Sequence, residues 1–89
     1  MDIIYKQLID INLYIRENDI VISSKQQLNE GVTYYDFRQF LSVLKRTTTD
    51  DKLRDMLKEL IKTVAKLEVR NVPVPTIAKL KSVSPEIFP

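Results

Sequence analysis

The sequence predicts an all-α fold: a small antiparallel bundle of three main helices plus a short helix, with an extended, Pro-containing C-terminal arm. Three observations predict it. Leu53, Leu57, Leu60, Val64 and Leu67 recur at steps of four and three, with Met56 and Ile61 widening the stripe. Residues so spaced lie above one another on one helix face. The same period recurs over 2–17 and 34–46. After Arg70, Asn71-Val-Pro-Val-Pro75 cannot continue a helix, because proline lacks the amide donor and restricts the residue before it. The expected division is therefore a helical bundle domain over 1–70 and an arm over 71–89 that packs on the bundle or on a partner chain.

Residues 2–17 form the first predicted helix. Ile4, Leu8, Ile11 and Ile15 mark one stripe, while Ile3, Tyr5, Ile9, Leu13 and Tyr14 extend apolar character well beyond it. Asp2–Lys6 and Lys6–Asp10 are opposite-charge pairs one turn apart on the narrow polar strip that remains. A helix apolar over more than half its girth buries more than one side, as the centre of a domain or as half of a dimer seam. Asn18-Asp19 ends it, and Ile20-Val-Ile22 is too short for its period to assign.

Ser24 with Gln27 three residues on has the form of a capping box, and Gly31 stands where a left-handed residue closes a helix. A helix of one to two turns is expected over 25–30, with Leu28 as its apolar contact. Thr33 with Asp36 repeats the start signal, and Tyr34, Phe37, Phe40, Leu41 and Leu44 then give an amphipathic helix through Arg46. Thr47-Thr-Thr49 is a loop, and Thr49 or Asp50 caps the long helix over 50–70. That helix carries Asp50, Asp51 and Asp55 at its start and Lys62, Lys66 and Arg70 at its end, which complements the macrodipole. Thr76–Lys81 is expected to form a last turn around Ile77 and Leu80. Ser82–Pro89 reads as irregular, anchored by Val83, Ile87 and Phe88.

Composition narrows the function classes. The 89 residues suit one small domain whose core is modest, so self-association would add useful buried area. There is no histidine and no cysteine, which removes the commonest general base, the commonest metal ligands and thiolate chemistry. A single glycine, Gly31, leaves no Gly-rich phosphate loop. The carboxylate pairs Asp50–Asp51 and Asp55–Glu59 sit at a helix start or on a polar face, where capping and solvation explain them. Asn29-Glu30-Gly31 lacks the alternating oxygen ligands of a calcium loop. No enzymatic activity, metal or cofactor is expected. No apolar run approaches a membrane span and no signal sequence opens the chain, so the expectation is a soluble, cytoplasmic protein without a membrane partner.

The leading expectation is a non-enzymatic protein–protein interaction module, of adaptor, assembly or inhibitor type, whose partner is another protein or a second copy in a homodimer. The residues expected to carry it are Tyr5, Ile9 and Leu13 on the first helix, with Pro73, Pro75, Ile77, Ile87 and Phe88 on the arm. Val72-Pro-Val-Pro75 could lie in a partner groove as a polyproline strand, although a stiff exit from the long helix explains it as well.

The alternative is a weak DNA-binding regulator built on residues 24–46. Gly31-Val32-Thr33 resembles the turn of helix-turn-helix proteins. On that reading Thr33, Tyr35, Arg38, Gln39 and Ser42 face the major groove, and Lys45 and Arg46 hold phosphates. The positions before the turn fit badly, because Gln26, Gln27 and Glu30 stand where apolar or small residues belong. The net charge of +2 also leaves only a weak electrostatic footprint for nucleic acid. The ridge Lys58, Lys62, Lys66 and Arg70 is a solvated face that serves the helix dipole.

Overall fold

A computed structural model describes residues 2–22, 28 and 31–88. Its elements are α1 (Asp2–Glu17), α2 (Tyr34–Thr47), α3 (Asp51–Val69) and α4 (Ile77–Val83). The short helix expected over 25–30 falls, Leu28 apart, outside the described residues. Leu28 itself has no regular secondary structure and packs half-buried against the core.

Helix α3 is the spine. Its stripe Leu53, Leu57, Leu60, Val64 and Leu67 is buried, and α1 and α2 both pack on it. Contacts at the helix ends give the directions. Tyr14, near the end of α1, meets Asp50 at the start of α3, while Tyr34, at the start of α2, meets Val72 beyond the end of α3. Both neighbours are therefore antiparallel to α3. Helix α4 packs on α1 instead and runs parallel to it, since Tyr5 meets Lys79 and Leu8 meets Ser84.

The start signals act through side chains. Thr33 caps α2 in a full capping box: its hydroxyl accepts from the Asp36 amide at 3.2 Å, and Asp36 accepts from the Thr33 amide at 3.1 Å. Asp50, rather than Thr49, caps α3 by accepting from the Leu53 amide at 2.8 Å. Thr76 caps α4 through the Lys79 amide. Gly31 takes the left-handed conformation expected of it, with φ of 77°, but the stop signals of α1 and α3 use no glycine. Asp19 and Asn71 adopt left-handed backbone, with φ of 50° and 58°. The amides of Ile20 and Val72 then reach back to the carbonyls of Ile15 and Leu67. This is the Schellman arrangement, with the residue after the turn lending an apolar contact. Asp and Asn tolerate the left-handed region because their short polar side chains bond locally.

The Ile20–Ile22 segment has no regular structure, with Ile20 and Ile22 half-buried and Val21 exposed. Past Asn71 the chain has no regular secondary structure through Pro75 and then forms α4, which is longer than the single turn expected and takes in Ser82 and Val83. Its apolar residues join the bundle core. Ile77, Leu80, Ile87 and Phe88 lie in one buried cluster with the stripes of α1, α2 and α3. Phe88 stacks on Phe40 at 5.0 Å between centroids and meets Phe37 edge-on at 6.2 Å. Behind it Ser84 is fully buried, and its hydroxyl donates to the Leu8 carbonyl at 3.2 Å.

Candidate interaction surface

The wide apolar girth of α1 resolves into three sides. Ile4, Leu8, Ile11 and Ile15 face the core. Tyr5 and Asn12 face α4. The Lys79 ammonium lies 5.1 Å from the Tyr5 ring centroid, and Asn12 Oδ1 accepts from the Glu86 amide at 2.9 Å. The third side faces outward and holds Ile3, Ile9 and Leu13, which are 58%, 43% and 47% exposed. Lys6 and Asp10 stand among them, also exposed. Scattered single apolar residues are ordinary on a protein surface. Here three lie on the outward side of one helix, Ile9 and Leu13 adjacent and Ile3 separated from them by Lys6 and Asp10.

Of the residues expected to bind a partner, Ile9 and Leu13 share the outward side one turn apart, while Tyr5 is half-buried on the side that faces α4. The arm residues divide differently. Pro73 is exposed, but Pro75, Ile77, Ile87 and Phe88 are buried within the protein's own fold and present no surface. Ile3, Lys6 and Asp10 complete the outer face. The signal that finds them is the spacing of Ile3, Lys6, Asp10 and Leu13, at steps of three, four and three.

The residues of the alternative reading lie on α2 and its cap. Thr33 is held in the capping box, and the Arg38 guanidinium is turned to Glu68 of α3. Its Nη2 donates at 3.4 Å, and its Nε stands 3.0 Å from a carboxylate oxygen outside hydrogen-bond geometry. Tyr35, Gln39 and Arg46 are exposed, and Ser42 and Lys45 are half-buried. Most of the segment that would precede the turn lies outside the described residues.

A cleft of mixed character opens where the end of α1 meets the α2–α3 loop, lined by Asn18, Asp19, Ile20 and Val21 on one side and Thr47, Thr48, Thr49 and Asp50 on the other. Its polar groups are largely engaged. Asp50 caps α3 and accepts a 2.8 Å hydrogen bond from the Tyr14 hydroxyl. The Leu53 amide, and after it the Tyr14 hydroxyl, hold the Asp50 carboxyl below its ordinary pKa. The same bond, reinforced by burial, raises Tyr14. Arg54 donates to the Thr48 carbonyl and pairs with Asp51, and Glu59 pairs with Lys62. Among the described residues no group of three acidic side chains stands close enough to hold a metal ion. No helix among them is long and apolar enough to cross a membrane. Comparison with known proteins finds no matching family model, no matching curated protein and no matching solved structure.

Proposed function

We propose that this chain is a non-enzymatic protein–protein interaction module that docks through the outer face of α1. One observation carries the reading: Ile3, Ile9 and Leu13 stay exposed on a helix whose opposite stripe is already fully buried. Burying such side chains is worth roughly 25 cal/mol per Å² of apolar surface, so a partner gains from covering them. The lack of histidine and cysteine supports the non-enzymatic part of the reading. The arm contributes from inside, by holding α4 and Phe88 against the bundle and so fixing the side of α1 that Tyr5 and Asn12 occupy. The helix-turn-helix alternative has less support, because Arg38 and Thr33 are engaged within the fold.

The test is the double substitution Ile9→Asp with Leu13→Asp. Both side chains are about half exposed, so the variant should fold with a moderately lowered thermal midpoint while association, followed by light scattering over a concentration series well below that midpoint, is lost. A variant that associates as the wild type does would sink the reading.

A further inference from the structure

The charges on the outer face of α1 select its occupant. We infer that this face pairs with a second copy of the same chain, as an antiparallel helix pair about a two-fold axis that crosses the outer face level with Leu8. The inference rests on the interaction reading above and names its partner. Ile3, Lys6, Asp10 and Leu13 fall within an arc of about 80° on the helix, on the side away from the core. When two such helices cross head to tail about that axis, Ile3 of each meets Leu13 of the other, and Lys6 of each meets Asp10 of the other. Two apolar contacts then flank two ion pairs. Ile9 of each copy lies beside the axis, on the same side of the pair, where the two can touch.

The reverse orientation fails on charge. A parallel pair in register sets Lys6 against Lys6 and Asp10 against Asp10, and like charges across a seam repel. Within one chain Lys6 and Asp10 do not form an ion pair, although they stand one turn apart. In the pair the lysine stem covers apolar surface while its ammonium reaches the opposite carboxylate. The ion pairs set direction and register, and the isoleucine and leucine contacts supply most of the affinity. One face of a sixteen-residue helix is a small interface, so the dimer is weak, with Kd on the order of micromolar or above.

The experiment is sedimentation equilibrium of the full chain, with thermal melts to show that every variant folds as wild type. The wild type should pass from monomer to dimer with concentration, and the dimer should weaken with salt. Lys6→Glu alone and Asp10→Lys alone should each weaken it by about tenfold or more. An equimolar mixture of those two variants should dimerise, as should the chain that carries both changes. The chain has no cysteine, so engineered cysteines report the register. On oxidation Ile3→Cys should cross-link to Leu13→Cys in a mixture, and neither should cross-link efficiently with itself.

A wild type that stays monomeric to about 1 mM overturns self-pairing. So do charge reversals without effect, or a self-linking Ile3→Cys chain. These failures leave the broader reading standing wherever Ile9→Asp with Leu13→Asp still abolishes binding to another protein. That reading falls separately, when the double substitution changes no association at all.

Discussion

The Tyr14 hydroxyl donates to Asp50 Oδ1 at 2.8 Å, and the same carboxylate oxygen accepts the Leu53 amide at 2.8 Å. One oxygen therefore caps α3 and ties it to the far end of α1, across 36 residues of sequence. The Lys52 ammonium, 5.0 Å from the Tyr14 ring centroid, adds a cation at the same junction.

This junction makes stability fall at both pH extremes. The Asp50 carboxyl is held below its ordinary 3.8, so its contribution is present above that value and is lost as pH falls through the depressed folded value. Tyr14 is raised above 10.0, so its contribution is present below that value and is lost as pH rises through the raised folded value. Tyr14→Phe should move the Asp50 carboxyl back up toward 3.8, though not fully, because the Leu53 amide remains. Carboxyl chemical shifts followed through an acid titration check it. An Asp50 titration that does not move would refute the coupling.

Phe88 ties the arm to the core. Its ring is 4% exposed and lies between Phe37 and Phe40. Phe88→Ala should cost about 3–5 kcal/mol in urea unfolding. That is a large share of the roughly 5–15 kcal/mol that holds an ordinary domain together. Phe88→Leu should keep most of the stability. A loss below about 1 kcal/mol for the alanine variant would mean that the arm is an optional appendage.

Asn12 holds the turn after α4. Its Oδ1 accepts from the Glu86 amide, and Asn12→Ala leaves that amide without its protein partner. Glu86 is exposed and water can replace part of the bond, so the expected cost is near 1 kcal/mol, the low end for an orphaned donor. Hydrogen exchange at the Glu86 amide should accelerate by more than the global loss of stability explains.

Tyr34 pins the exit of the arm. Its hydroxyl donates to the Val72 carbonyl, and burial, with Glu68 nearby, raises its pKa. Tyr34→Phe should cost about 0.5–1.5 kcal/mol. Limited proteolysis should cut within 71–76 faster in the variant. Unchanged cleavage there would show that the prolines alone hold the segment.

The helices were legible because their signals are local. Thr33 with Asp36 announces α2, the run from Leu53 to Leu67 announces the core face of α3, and the acidic start and basic end of α3 suit its dipole. The boundary residues follow from side-chain capping that a window of a few residues contains. On the candidate surface, Tyr5, Ile9 and Leu13 were legible as surplus apolar residues on α1, while Pro75, Ile77, Ile87 and Phe88 looked equally available and are buried. A short apolar tail reads the same in sequence whether it closes its own core or reaches for a partner.

The amino-acid sequence by itself determined the all-α fold class, the ends of the three main helices to within a residue, and which stripe of each turns inward. Periodicity and capping are short-range physics, complete within a turn or two of helix. Only the tertiary structure decided which way the rest of α1 faces. Its apolar girth is wide enough to be buried all round, yet α3 and α4 cover two sides and leave Ile3, Ile9 and Leu13 outside. Ser84 donates to the Leu8 carbonyl across 76 residues of sequence and Phe88 stacks on Phe40, so the arm folds back onto the bundle and α4 covers the Tyr5 side of α1.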